Sequence, residues 1–164
     1  YLLVQNEISS VAEIIRLGSG KEMKVVFNPA PLTAETRDYP LELVDWIVMN
    51  EIEGEGLTGK SDPNDMLASI VKELPNASVV LTRGARGAIL ANRAEKFSIP
   101  AIAVNAVDST AAGDAFIGYF LAELMQGTDA KSALHTACEA AAFCVTRQGA
   151  ADSIPRRAEL ESGE

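Results

Sequence analysis

Cysteine and histidine are scarce in this chain, which has two cysteines and one histidine among 164 residues. Cys138 and Cys144 lie six residues apart in a predicted helix, so they point about 240° apart around its axis and cannot form a disulfide with each other. We expect both to be reduced, buried thiols. His135 lies one turn from Cys138, but two ligands do not make a zinc site. No serine has the sequence context of a Ser-His-Asp nucleophile.

Positive charge and long apolar runs are also in short supply. The net charge of -9 argues against a nucleic-acid partner, because phosphate backbones attract Lys and Arg. Apolar runs such as residues 140–145 are too short to span a bilayer, and no charged-then-apolar leader opens the chain. These features predict a soluble, cytoplasmic protein that does not bind membranes.

Aromatic residues make up only 5% of the chain, against 48% hydrophobic residues, so the core must be built from aliphatic side chains. Such a core suits a sheet flanked by helices, and the length suits one domain. Strand-like and helical runs alternate as far as residue 82, which predicts right-handed crossovers and a largely parallel sheet. The predicted strands are 2–5, 24–28, 46–50 and 79–82, with helices at 11–17 and twice between 50 and 74.

The pattern changes after Gly87, where short strand-like runs follow one another closely and predict an antiparallel edge. These runs are 88–91, 96–99 and 103–107. Two long helices are predicted next, at 112–126 and 130–147, with Thr128 or Asp129 able to cap the second. We expect the polar tail, 159–164, to fray.

Polar residues follow several of the apolar strands. Open parallel sheets bind ligands beyond the carboxyl ends of their strands, so these residues are candidates to line a crevice. They are Glu7, Asn28, Asn50 and Thr82. Polar residues end strands in any case, so the pattern alone leaves both interpretations open.

The most informative segment is 108–116, Asp-Ser-Thr-Ala-Ala-Gly-Asp-Ala-Phe, which places small residues and a carboxylate where a helix begins. The first-turn amides of a helix lack internal partners and favour an anion there. Asp114 beside such a pocket either takes a proton from an attacking hydroxyl or caps the helix.

This segment resembles the second signature of the ribokinase and PfkB family of carbohydrate kinases. Four further stretches resemble the family in the same order, so the similarity covers nearly the whole chain. They are 28–31, Asn-Pro-Ala-Pro; 50–53, Asn-Glu-Ile-Glu; 82–87, Thr-Arg-Gly-Ala-Arg-Gly; and 145–150, Val-Thr-Arg-Gln-Gly-Ala. The resemblance implies a ribokinase-like α/β fold, with 1–164 as the C-terminal, nucleotide-binding part of a single domain. Because family members are about twice as long, the N-terminal half and the lid are expected to be absent. A homodimer of the full-length protein is possible and cannot be judged from this half.

The resemblance also implies roles for residues in phosphate chemistry. Asp114 would be the catalytic base, and Ala111, Ala112 and Gly113 would present backbone amides to the transferred group. Asn50 and Glu53 match the family's motif for binding magnesium and the nucleotide phosphates. Both also fit the start of a helix, with Asn50 as N-cap, and the two roles can coexist.

Further positions match family sites for ATP, a monovalent cation and sugar. The expected ATP loop is Thr82, Arg83, Gly84, Ala85, Arg86 and Gly87, although its glycines would equally mark a hairpin turn. Cys138 would border the adenine. The expected potassium site, mostly backbone carbonyls, is Asp108, Thr110, Cys144, Arg147, Gly149 and Ser153. Glu7 would hydrogen-bond sugar hydroxyls, as would Asp114.

The resemblance therefore implies an ATP-dependent sugar kinase that needs Mg²⁺ and is stimulated by K⁺, with D-ribose converted to D-ribose 5-phosphate as the leading activity. Another sugar or a nucleoside as acceptor is the alternative within this class. A nucleotide-binding regulator without catalysis is the alternative outside it. We expect the isolated 164-residue chain to be inactive.

Overall fold

The computed structural model describes residues 1–162, and side chains as far as residue 160. The strands are β1 (Leu2–Gln5), β2 (Val25–Asn28), β3 (Trp46–Asn50), β4 (Ser78–Thr82), β5 (Ala88–Ala91) and β6 (Lys96–Ile99). The α-helices are α1 (Val11–Gly20), α2 (Glu51–Thr58), α3 (Pro63–Glu73), α4 (Ala112–Met125), α5 (Ala130–Cys144) and α6 (Arg157–Ser162). No helix among the described residues is both long and apolar enough to cross a membrane.

The six strands form one sheet in the order β1-β2-β3-β4-β5-β6. β1 to β4 are parallel, and β4 to β6 are antiparallel, which confirms the predicted α/β fold with an antiparallel edge. The parallel strands are rich in buried aliphatic residues because helices cover the sheet faces.

The chain divides into two compact units. The N-terminal unit comprises Tyr1–Arg83 and Ile89–Phe97, and the C-terminal unit comprises Gly84–Ala88 and the chain from Ser98 onward. That 1–164 forms one part of a larger single domain stays a prediction.

Each unit has its own buried core. In the N-terminal unit, Phe27 and Ile47 on neighbouring strands pack with Ile15 of α1 and Leu67 of α3. In the C-terminal unit, α4 packs against α5. Small residues of α5, such as Ala133 and Ala137, are fully buried there, as are Phe120 and Leu134.

Two predicted segments differ from the structure. Residues 103–107 do not form a strand, because Val107 donates its backbone N–H to Val145 O (2.7 Å) instead of to a neighbouring strand. The helix predicted at 130–147 ends at Cys144, where Thr146 N donates to Phe143 O in a tighter turn (3.1 Å). Residues 159–162 of the tail belong to α6, which begins at Arg157, and the expected fraying stays a prediction. The last two residues of that segment lie outside the described part of the chain.

Candidate functional site

The carboxyl ends of the parallel strands carry polar side chains that hydrogen-bond to one another or to the neighbouring strand. Gln5 Nε2 donates to Asn28 Oδ1 (3.1 Å), and Asn28 Nδ2 donates to Val48 O (2.8 Å). Asn50 and Thr82 are paired in register at the ends of β3 and β4. These four side chains therefore lie at the carboxyl ends of the parallel strands, on the side of the sheet where this class of fold binds ligands.

A capping box starts α2. Asn50 Oδ1 accepts the backbone N–H of Glu53 (2.9 Å), while the Glu53 carboxylate accepts from the Asn50 backbone N–H (2.9 Å) and Asn50 Nδ2 (2.8 Å). This reciprocal pair satisfies donors that a helix start leaves free. The alternative prediction of Asn50 as N-cap with Glu53 at the third position is thus confirmed.

Glu53 is a buried carboxylate, 7% exposed. Burial raises its pKa above the ordinary value of 4.5, and the hydrogen bonds from Asn50 partly offset that shift. Among the described residues, no Lys or Arg forms an ion pair with it. Each Glu53 oxygen accepts one hydrogen bond from Asn50 and keeps acceptor capacity, so the residue fits a site for a hard cation.

Arg83 follows β4 and lies 3.6 Å from the Glu51 carboxylate, measured from Nε to Oε1. Its Nε atom is buried and has no hydrogen-bond partner among the described residues. Next along the chain, Gly84–Arg86 form one turn of 3-10 helix. Gly84 and Gly87 have positive φ values of 53° and 83°, which favour glycine, and a Cβ at Gly87 would collide with the carbonyl oxygen of Ile99. The segment 82–87 is thus a tight connection between antiparallel strands, as the hairpin alternative predicted.

The turn before α4 is held in an uncommon backbone conformation. Ala111 is the N-cap residue with φ 61° and makes no side-chain cap. For a residue with a Cβ this left-handed conformation costs free energy, and such residues concentrate at functional sites. Gly113 and Asp114 are exposed, and a Cβ built on Gly113 would meet nothing within 4 Å. Asp114 lies in the first turn of α4, not at the cap, so the alternative of a simple N-cap is wrong.

Asp108 joins two turns of the C-terminal unit. Its Oδ1 accepts from the backbone N–H (2.9 Å) and hydroxyl (2.7 Å) of Thr110, and its Oδ2 accepts from Gly149 N (3.1 Å). The Thr110 hydroxyl, followed by the two backbone N–H groups, holds the pKa of Asp108 below its ordinary value of 3.8. This carboxylate is therefore ionised near neutral pH.

The other expected cation-site residues cluster around the same turns. Cys144 Sγ lies 3.1 Å from Ser153 Oγ and 3.6 Å from the carbonyl oxygen of Thr110, and both Cys144 and Ser153 are fully buried. Asp108, Thr110, Cys144, Gly149 and Ser153 are thus linked by direct contacts. Arg147 lies in the same turn, but its guanidinium contacts Glu159 (2.7 Å) and lies over the Phe143 ring (4.2 Å to the centroid).

This cluster offers mainly hard oxygen donors, namely a carboxylate, a hydroxyl and backbone carbonyls, which suit K⁺. No group of three or more His, Cys, Asp or Glu side chains that could hold a metal occurs among the described residues. Neither a carbonyl-based potassium site nor a magnesium ion held by one carboxylate, water and phosphate requires such a group.

The residues expected to contact the sugar and the adenine, Glu7 and Cys138, differ in their exposure to solvent. Glu7 is exposed, whereas the preceding residue, Asn6, is buried. Asn6 accepts from the Tyr39 hydroxyl (2.8 Å) and donates to Pro31 O (2.7 Å), a network that the sequence did not reveal because its members lie 25 to 33 residues apart. Cys138 is buried on α5, and burial raises the pKa of its thiol to about 11.

Comparison with known proteins identifies one family along most of the chain. Residues 5–157 match the model of the pfkB family of carbohydrate kinases. Over 158 residues the chain is 34% identical to a deoxyribokinase from Salmonella typhi, covering 94% of this chain and 52% of that protein. A ribokinase from Haemophilus influenzae is 35% identical, with 96% and 53% covered. The chain therefore spans about half the length of these curated relatives.

Solved structures agree with this result. Ribokinase from Thermotoga maritima has a TM-score of 0.86 and 35% identity, covering 98% of this chain and 55% of that chain. Arabidopsis thaliana ribokinase complexed with ribose and ATP has a TM-score of 0.86 at 25% identity, with 98% and 54% covered. A double mutant of Vibrio cholerae fructokinase, with fructose, ADP and potassium ion bound, has a TM-score of 0.85 at 26% identity, with 98% and 59% covered.

Proposed function

The chain belongs to the pfkB family of carbohydrate kinases, and from that premise we propose that the protein carrying it transfers the γ-phosphoryl group of ATP to a sugar hydroxymethyl, with D-ribose as the acceptor and D-ribose 5-phosphate as the product. The similarity to ribokinases along 96% of the chain supports this acceptor. Deoxyribose and fructose are the alternatives, because a deoxyribokinase and a fructokinase are also similar.

The observation that carries this proposal is the turn 108–114, which presents an exposed carboxylate in the first turn of a helix behind three small residues. Asp114 accepts the proton of the sugar hydroxymethyl. The hydroxymethyl oxygen then forms a bond to the γ-phosphorus while the bond from that phosphorus to the β–γ bridging oxygen breaks, and ADP leaves. A positioned base of this kind contributes about 10² to 10⁴ in rate.

The backbone amides of Ala111 and Gly113 stabilise the charge on the transferred group, whereas the Ala112 amide, also expected there, donates to Ser109 O within the turn (3.3 Å). Ala111, Ala112 and Gly113 present little side-chain bulk, and the space beside Gly113 is open, so a phosphoryl group can approach the backbone. The N-terminal end of the helix dipole adds favourable potential for an anion.

The chain's own residues also provide candidate cation sites. Glu53, oriented by Asn50, would hold Mg²⁺ with the nucleotide phosphates, and the cluster around Asp108 and Ser153 would hold K⁺. When bound, these cations supply positive charge that offsets the charge of the phosphates. Asn50, the segment 82–87 and Cys138 would contact ATP, and Glu7 would bind sugar hydroxyls.

The test is ADP release by the full-length protein with MgATP and D-ribose, 2-deoxy-D-ribose or D-fructose, in KCl and in NaCl. We expect ribose-dependent turnover that is faster in KCl. Asp114→Asn should lower kcat by about 10² to 10⁴ without weakening ATP binding, because it removes only the proton acceptor.

Asp65→Asn is the matched control, since Asp65 is also an exposed carboxylate in the first turn of a helix, α3. It should leave turnover unchanged. Turnover with another acceptor would replace ribose and keep the mechanism. Binding of ATP without turnover on any acceptor would reject the kinase assignment and favour a nucleotide-binding regulator.

A further inference from the structure

We propose that Glu159 is a positioning residue for the monovalent-cation site, acting through Arg147. This inference rests on the proposed cation site of the preceding section. Glu159 lies on α6, outside the motifs that resemble the family, and it contacts the one expected cation-site residue whose side chain points away from the Asp108 cluster.

The turn 145–150 is fixed by bonds at both ends, with Arg147 between them. The carbonyl oxygen of Val145 accepts the backbone N–H groups of Val107 (2.7 Å) and Asp108 (3.2 Å), and Gly149 N donates to Asp108 Oδ2 (3.1 Å). Gly149 has φ 112°, and Ala150 has φ -98° and ψ -98°, so neither residue follows helical or strand geometry. In the middle of the turn, the Arg147 backbone N–H donates to Cys144 O (3.2 Å), and the Arg147 side chain makes further contacts. The direction of the Arg147 carbonyl depends on both.

Glu159 and Phe143 hold the side chain of Arg147. Glu159 Oε1 accepts from Arg147 Nη2 (2.7 Å), and the same guanidinium lies 4.2 Å from the centroid of the Phe143 ring. The side chains of Arg147 and Glu159 are 38% and 33% exposed, so water only partly screens the pair. A guanidinium held between a carboxylate and a ring has little freedom, which restricts the backbone to which it is attached.

Glu159 is itself fixed by the start of α6. Its other oxygen, Oε2, accepts the backbone N–H of Arg156 (2.6 Å), the reach-back half of a capping box. A helix of six residues is not stable alone, but Arg157 of α6 pairs with Glu123 of α4, and the Tyr119 hydroxyl donates to Pro155 O (2.7 Å). Because α6 is docked on α4, Glu159 has a fixed position and in turn fixes the Arg147 side chain in the turn 145–150.

The test measures K⁺ binding without relying on turnover. The melting temperature of the full-length protein is recorded against KCl, with tetramethylammonium chloride keeping the ionic strength constant. Wild-type protein should be stabilised by K⁺. Glu159→Gln should raise the KCl concentration for half-maximal stabilisation by about 10-fold, the lower end of the effect of removing an outer-shell partner of a metal ligand.

Arg147→Gln should shift the KCl midpoint by the same factor. The double variant should show no larger shift, because both substitutions break the same Arg147–Glu159 contact. Glu139→Gln is the matched control, since it removes an ion-paired carboxylate of the same unit whose partner, His135, lies on its own helix, α5. It should leave the KCl midpoint at the wild-type value. Equal midpoints for wild type and Glu159→Gln, or equal shifts for Glu139→Gln and Glu159→Gln, would overturn the inference.

Wild-type protein that does not respond to K⁺ would overturn the cation site and this inference with it. That result leaves phosphoryl transfer to be judged separately, by ADP release. Conversely, K⁺-dependent stabilisation without sugar-dependent turnover would reject the kinase proposal and leave the role of Glu159 standing.

Discussion

At the scale of single residues, Glu53 caps a helix and is also a buried carboxylate. It completes the capping box of α2, and it is a buried carboxylate whose pKa is raised by that burial. The free energy of burying a charge is usually offset by a cation, and the hydrogen bonds from Asn50 offset only part of it. The stability cost is largest when Glu53 is ionised, and a bound cation would remove it.

Cys138 provides a residue-scale prediction about pH. Burial raises its thiol pKa from an ordinary 9.0 to about 11, so the reactive thiolate is about 100-fold scarcer at pH 8 than for an ordinary thiol. Iodoacetamide should alkylate Cys138 at least about 100-fold more slowly in the folded full-length protein than in the denatured protein. Mass spectrometry measures the two rates.

The alkylation rate should also continue to rise from pH 9 toward pH 11, because each pH unit produces more thiolate. A cysteine introduced as Lys131→Cys, at an exposed position of the same helix, is the control and should react rapidly at pH 8. A rate for Cys138 that levels off near pH 9 would contradict the raised pKa.

The residues that the sequence could predict are those whose partners are close in the chain. Asn50 and Glu53 are three residues apart, and Asp108 and Thr110 are two apart. Glu159 could not be predicted, since its partner Arg147 is twelve residues away across an irregular turn. Gly149 and Asp108 are 41 residues apart, so their contact depends on the path of the chain.

At the scale of elements, hydrophobic pattern was a good guide wherever the element buries a face. The parallel strands were predicted from short, continuous apolar runs, which are typical of a sheet covered by helices, and α1 to α5 were predicted from the helical stretches between and after these runs. Residues 103–107 have the same apolar character but are exposed, and their backbone bonds to the end of α5. Pattern alone cannot distinguish these two environments.

The packing of α4 against α5 gives an element-scale prediction. Phe120 is fully buried and stacks on Phe116, with ring centroids 6.3 Å apart. Phe120→Ala should lower the free energy of unfolding of the full-length protein by about 3 to 5 kcal/mol, because it removes apolar contacts and leaves a cavity. Urea denaturation measures this change.

Met125→Ala, on the same helix but 65% exposed, is the matched control and should change stability by less than about 0.5 kcal/mol. If both substitutions had equally small effects, α4 would not be packed as the structure has it.

At the scale of the whole molecule, β1 forms an edge of the sheet and carries Leu3, which is 43% exposed. An apolar edge strand offers unpaired N–H and C=O groups to other chains. We expect residues 1–164, produced alone, to self-associate and to lack sugar-dependent ADP release, while the full-length protein stays active. Size-exclusion chromatography with light scattering and the ADP assay measure both properties.

Leu3→Lys should reduce this association, because a charge protects an edge strand. Ile52→Lys, at a position that is 81% exposed but lies on α2, should not reduce it. A monomeric 164-residue chain with ribose-dependent turnover would contradict the prediction.

The order of strands in the sheet has a consequence for synthesis. Because β1 to β6 are neighbours in the order in which they occur in the chain, each of the strands β2 to β6 meets, as it leaves the ribosome, a partner that has just been made. The sheet can therefore grow by addition at one side, without waiting for a distant segment, and this limits the time for which each new strand remains unpaired.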